Sequence, residues 1–193
     1  TPYAGGGTHL SDVSVIYPVF YKKEVIAFTV NKAHWTELGG TFPGSVSTVA
    51  TEIYQEGLHF PFIKVKSAGI LNDAIIDLIK GNVRLPESTL GDLFAGIAAA
   101  EVGAKRVISI IEKYGLATYK KAKNDFLDYG ERMCIEALKE IPNGIYKGET
   151  TIEDNGFGEG PFPIKAKITV TDTEFIADFN GSHPQVKGAT NLS

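Results

Sequence analysis

Two histidines and two carboxylates within the first forty residues have the types needed for metal chemistry. His9 and Asp12 lie in Gly5-Gly6-Gly7-Thr8-His9-Leu10-Ser11-Asp12, and His34 and Glu37 lie in Asn31-Lys32-Ala33-His34-Trp35-Thr36-Glu37-Leu38-Gly39-Gly40. Two imidazoles and one carboxylate make a facial ligand set that leaves coordination positions open for substrate. The set available here is His9, His34 and Asp12, with Glu37 as the alternative to Asp12. A second reading competes: both histidines are hydrogen-bonded residues at strand ends, since no HxH or HExxH signature links them.

Other chemistry-bearing stretches point to structure more than to catalysis. Gly5-Gly6-Gly7-Thr8 can form an anion-cradling nest, yet it has neither the lysine nor the spacing of a P-loop and serves equally as a turn. Gly156-Phe157-Gly158-Glu159-Gly160 departs from the GxGxxG spacing and opens no helix, and no GxSxG elbow is present. Cys134 falls in a helical pattern and reads as a packed thiol. His59 reads as structural, and His183 as part of a Gly181-Ser182-His183-Pro184 turn. Arg84 is expected to pair with Glu87 or Asp92, and Lys120, Lys121 and Lys123 to form a solvated helix face.

Something must bring His9 and Asp12 to His34. Asp12–Phe20 and Glu24–Val30 are apolar runs rich in β-branched and aromatic residues, joined by the short basic connection Tyr21-Lys22-Lys23-Glu24. They predict a β-hairpin, whose first strand begins beside the end of its second. A glycine- and proline-rich loop follows at 39–45. A short strand is expected over 60–66, and a helix over 74–80 capped by Asn72 or Asp73.

A long helix is predicted from Pro86, with Leu90, Leu93, Phe94, Ile97, Ala100, Ala104, Val107, Ile108, Ile111 and Tyr114 on one face. Gly91, Gly96 and Gly103 each cost it about 1 kcal/mol, so close packing must compensate. After Gly115 a second helix runs from about 117 to 140, with Tyr119, Ala122, Phe126, Tyr129, Met133, Ala137 and Ile141 on one stripe. From Pro142 the period becomes alternating, giving strands at 145–153, 164–171 and 174–179. The fold class is α+β: an N-terminal β-hairpin with loops, an antiparallel helical pair, then a C-terminal antiparallel β-meander. We read 1–193 as a single domain, with a β/loop part at 1–85, helices at 86–141 and the meander at 142–193.

The 193 residues can bury a sizeable core, and 43% hydrophobic with 22% charged residues is ordinary globular usage. A net charge of −4 makes no electrostatic case for nucleic acid or an anionic membrane. No apolar run reaches the roughly 18–20 residues of a membrane span. The single cysteine excludes an internal disulfide and points to a reducing, cytoplasmic setting. Thr1 is not an initiator methionine, and a strand pattern stops at Ser193 without a closing element, so a fragment of a longer chain is expected.

Several stretches, in order, resemble the B-type subunit of the hydantoinase/oxoprolinase family. They are residues 2–12, Asn31-Lys32-Ala33-His34 with Gly39-Gly40, Thr51-Glu52-Ile53-Tyr54-Gln55-Glu56-Gly57, Asn82-Val83-Arg84-Leu85-Pro86-Glu87 with Gly91-Asp92-Leu93, and residues 178–186. That family includes ATP-dependent N-methylhydantoinases, 5-oxoprolinases and the related acetone and acetophenone carboxylases. The resemblance implies hydrolysis of a cyclic amide after an A-type partner, which carries the ATP, has phosphorylated the carbonyl oxygen. It also implies a divalent metal (manganese, zinc or iron) acting as a Lewis acid, with His9 and His34 as ligands and Asp12 as third ligand or orienter. The alternatives are one component of a carboxylase, or a non-catalytic scaffold that binds an A-type partner; homo-oligomerisation is left open. The family pattern differs at three positions: Asp at Thr1, often a second His at Trp35, and Gln at Gly96. An additional carboxylate upstream of Thr1 is expected to lie outside this chain, and the chain alone is expected to be inactive.

Overall fold

The computed structural model describes residues 9–191, so the Gly5–Thr8 nest and Thr1 lie outside the described residues. The chain forms two compact units. One comprises the chain up to Ser109 together with the stretch from Gly188 onward, and the other is Ile110–Lys187.

The first unit opens with the expected hairpin, β1 (Asp12–Tyr21) and β2 (Glu24–His34), in antiparallel register from Asp12 opposite His34 to Tyr21 opposite Glu24. Its two-residue turn places Lys22 and Lys23 at φ of 48° and 71°, a left-handed pair of the kind that matches strand twist. The inner face pairs Val13 with Ala33, Val15 with Asn31 and Val19 with Ala27. Val13, Val15 and Ala33 pack against a core of Leu10, Trp35, Leu38, Ile53, Ile76, Ile79, Leu90, Leu93 and Ile97.

Instead of a strand over 60–66, a minimal ribbon forms from β3 (Lys66–Ser67) and β4 (Ile70–Leu71). Pro61 removes a ladder donor, and Phe62 at φ 50° breaks the extended path. Helix α1 (Asp73–Asn82) is capped as expected by Asn72, whose side chain accepts from the Ala74 N–H at 3.2 Å. Helix α2 (Pro86–Tyr114) buries Leu90, Leu93, Ile97, Ala100, Ala104 and Ile111, whereas Phe94 and Tyr114 are exposed. Its glycines meet the packing requirement at two of three positions. A Cβ at Gly96 would stand 3.0 Å from Val15 Cγ2, and one at Gly103 3.1 Å from Thr29 Cγ2, so the hairpin rests directly on the helix backbone. Gly91 faces open space. Thr29 Oγ1 donates to Ala100 O at 2.7 Å, fixing the hairpin on α2.

The second unit carries helix α3 (Leu116–Leu138) and a meander of β5 (Gly144–Ile152), β6 (Phe162–Val170) and β7 (Phe175–Asp178), ordered β5-β6-β7. The predicted stripe on α3 is present but unpacked. No residue of α3 is buried, Phe126, Tyr129 and Met133 are exposed, and so is Cys134, contrary to a packed thiol. Buried Asn155 organises the loop between β5 and β6: its side-chain oxygen accepts from Phe157 and Glu159 N–H groups, and its Nδ2 donates to Glu159 and to Lys187 O. His183 sits in its expected turn, edge-on to Phe162. Among the described residues, no helix is long and apolar enough to cross a membrane.

Candidate metal centre

The mouth of the hairpin is closed by backbone hydrogen bonds at buried Ser11, whose carbonyl accepts from Trp35 N at 2.8 Å and from Val13 N at 2.9 Å. The bond from Trp35 ties the His9–Asp12 segment to the end of β2. Strand alternation then sends Trp35 into the core and leaves His34 outward, on the face that carries Asp12. His9 Nε2 lies 3.1 Å from His34 Nδ1 and 3.0 Å from Asp12 Oδ1, and His34 Nδ1 lies 3.2 Å from that same oxygen. The three sequence-predicted ligands therefore converge, and among the described residues they form a donor cluster suited to a metal ion.

The three donor atoms lie 3.0–3.2 Å from one another, close enough to share one cation. In the absence of an ion each imidazole nitrogen can donate to Asp12 Oδ1, or one can donate to the other, as the tautomers dictate. Two imidazole nitrogens and one carboxylate oxygen suit a divalent cation such as manganese, zinc or iron, with coordination positions left open.

Asp12 keeps its second oxygen for a different partner, Lys32 Nζ at 2.9 Å. The Lys32 hydrogen bond is the largest influence on Asp12; helped by His34 and His9 and opposed by burial, it holds the carboxyl below its ordinary range. Lys32 was not among the sequence-predicted site residues. Its signal was positional: two residues before His34 on a strand, it shares that histidine's face.

Glu37, the alternative ligand, is elsewhere. It is buried, and its carboxylate takes Arg84 Nη1 on Oε1 at 2.6 Å and the Arg84 backbone N–H on Oε2 at 2.7 Å. Burial pushes the Glu37 carboxyl up, but the two Arg84 bonds, its charge and the Gly39 N–H outweigh this and hold it low. Arg84 thus pairs with neither Glu87 nor Asp92. It also donates to Gly40 O at 2.7 Å, which locks the glycine loop. Asp92 instead accepts from Thr36 N at 3.0 Å.

A further carboxylate lies near the triad. Burial raises the Glu56 pKa, opposed by the charges of His9 and His59. Glu56 follows the 3-10 turn Ile53–Gln55 and was carried in the sequence only as part of Gln55-Glu56-Gly57, with no signal for proximity to His9. His59 is structural as expected, bonded to Ile53 O at 3.3 Å and stacked on Tyr54.

Comparison with known proteins adds to this geometry. The sequence matches the hydantoinase B/oxoprolinase family over residues 1–193. It is 40% identical over 191 residues to the provisionally named B-type component of a D-/L-hydantoinase from Pseudomonas sp. (strain NS671), covering 96% of this chain and 32% of that one. It is 33% identical to the beta chain of the caprolactamase of Pseudomonas jessenii, covering 87% of this chain and 29% of that one. The crystal structure of the ATP-dependent caprolactamase from Pseudomonas jessenii superposes with a TM-score of 0.87 at 33% identity, over 94% of this chain and 31% of that chain. Nucleotide-free acetone carboxylase shares the fold, with a TM-score of 0.83 at 20% identity over 91% of this chain and 25% of that one. The chain spans about a third of the length of these curated relatives.

Proposed function

The chain belongs to the hydantoinase B/oxoprolinase family, and from that premise we propose that it supplies the metal-binding part of the B-type component of an ATP-dependent cyclic-amide hydrolase. The observation that carries this reading is the His9–Asp12–His34 triangle of donors at the mouth of the hairpin. The hydrolase branch is favoured over the carboxylase branch because the caprolactamase structure matches at 33% identity, whereas the carboxylase likeness, at 20%, speaks only for the fold.

In this reading His9 Nε2, His34 Nδ1 and Asp12 Oδ1 hold a divalent cation. Such an ion supplies Lewis acidity toward a carbonyl or phosphoryl oxygen and lowers the pKa of water beside it. The chain's own groups prepare the site. Asp12 stays ionised because Lys32 and the histidines favour its charged form. The Ser11–Trp35 bond and the Thr29–Ala100 bond hold the two strands on α2, so the donors keep their spacing. The outward face beyond the donors is apolar, pairing Ile16 with Val30 and Pro18 with Phe28, which suits a site from which water must be excluded once the assembly closes. Activation of the ring by ATP falls to an A-type partner.

The test uses the full-length B-type protein with its A-type partner and a panel of lactams and hydantoins. Ring opening that needs ATP and both components, and is lost in His9→Ala and His34→Ala, is the expected outcome. Carboxylation of a ketone without any ring opening would move the protein to the carboxylase branch. Partner binding with neither reaction would leave a scaffold.

A further inference from the structure

We propose that Lys32 is a positioning residue of the metal centre: by holding Asp12 Oδ2 it keeps Asp12 a one-oxygen ligand, and so leaves a coordination position open for substrate. This rests on reading the triad as a metal site.

The division of labour within the Asp12 carboxylate is explicit. Oδ1 belongs to the donor triangle, 3.0 Å from His9 Nε2 and 3.2 Å from His34 Nδ1. Oδ2 takes the Lys32 ammonium at 2.9 Å. Carboxylates bind divalent cations through one oxygen or through both, and the two modes consume different numbers of coordination positions. A switch of Asp12 to the two-oxygen mode would break a charge-assisted hydrogen bond and bring the cation against an ammonium. Both terms oppose it.

The register makes the contact durable. Lys32 stands opposite Ser14 and next to the Asp12–His34 pair on the outward face. Ser14 is small, so nothing on β1 competes for the space between Lys32 and Asp12. An exposed lysine–aspartate pair adds little to folding stability, so the hairpin does not need Lys32 for its fold. A lysine beside a divalent cation also weakens the hold on that cation by like-charge repulsion. With little to add to stability and a charge that repels the cation, Lys32 is best explained by what it does to the ligand geometry.

The experiment loads the full-length B-type protein with manganese(II) and measures binding stoichiometry, affinity and the water-proton relaxation of the bound ion for wild type, Lys32→Met and Lys32→Arg. One manganese per wild-type chain is the expectation. A facial triad leaves three positions for water, so the loss of one to a two-oxygen Asp12 lowers the relaxivity by about a third. Lys32→Met should bind one manganese at least as tightly as wild type with that lower relaxivity, and Lys32→Arg should restore the wild-type value. Unchanged relaxivity in Lys32→Met, or weakened or lost manganese binding in that variant, overturns the proposal and leaves the metal site standing. Absence of manganese binding in wild type overturns the metal reading itself, and the Lys32 proposal with it.

Discussion

Asp12 and His34 are directly opposed across the hairpin, with 3.2 Å between Oδ1 and Nδ1. A slip of one residue in this register would send one of them to the inner face. The site therefore depends on the pairing of β1 with β2 and on the turn that sets it. Alanine at His9 or His34, or Asp12→Asn, should each abolish stoichiometric metal retention after dialysis. All three side chains are at least partly exposed, so the metal-free proteins should differ in stability by no more than about 0.5 kcal/mol, while only wild type should be stabilised further by added metal. Elemental analysis and a melting curve on the same samples check both halves.

Arg84 holds the chain around the site more firmly than it could hold an anion. Arg84→Ala leaves Glu37 as a buried, uncompensated charge, and the expected cost is about 3 kcal/mol by denaturant unfolding. The accompanying pH dependence has a definite sign. Glu37 has a depressed pKa in the folded state, so the stability it adds is present above its ordinary value of 4.5 and is lost as pH falls through the lower folded value. Acid titration of wild type should show this loss below pH 4.5, and Arg84→Ala should not.

Glu56 should behave in the opposite way. Its carboxyl is raised by burial above 4.5, so the folded state binds the proton more tightly and the ionised form costs stability as pH rises through the raised value. Glu56→Gln should therefore melt higher than wild type at neutral pH, and the gap should close toward pH 4.5. A variant that gains nothing at neutral pH would show that Glu56 is solvated.

Gly40 and Gly44 offer a paired test of the loop. Both have left-handed φ, +82° and +79°, but a Cβ at Gly40 would meet Glu56 C at 2.5 Å and Gln55 O at 2.6 Å, while one at Gly44 meets nothing within 4 Å. Gly44→Ala should cost only the conformational term, about 1 kcal/mol. Gly40→Ala must also displace backbone, and should cost about 2 kcal/mol or more. Equal losses in the two variants would mean that the loop relaxes freely.

The hairpin, the long helix, the meander and the meeting of His9, Asp12 and His34 were legible because each rests on a strong local signal. Alternating β-branched runs mark β1 and β2, Pro86 and Gly115 bracket α2, and strand pairing brings His34 to Asp12. What was not legible depends on partners distant in sequence. Glu37 and Arg84 find each other across 47 positions, and nothing near Arg84 distinguishes this from a pair with Glu87. The stripe on α3 was legible as a pattern but its exposure was not, because periodicity says which residues share a face and is silent on what covers it. Lys32 was visible as a residue on the face of His34, but its bond to a single oxygen of Asp12 needed coordinates.

Trp35 gives the last test, because the resemblance read from the sequence implies a histidine there in many family members. Next to His34, such a histidine looks like a spare ligand. In the fold, however, Trp35 is 1% exposed, belongs to the core with Leu10 and Leu38, and packs its ring on Phe60 with centroids 5.9 Å apart. Alternation along the strand end points it away from the donor triangle. Trp35→His should therefore leave metal stoichiometry and the relaxation of bound manganese unchanged, while removing buried aromatic surface at a cost of about 3 kcal/mol. A second metal equivalent, or a changed relaxivity with intact stability, would place position 35 at the centre, in conflict with the alternation that puts His34 there.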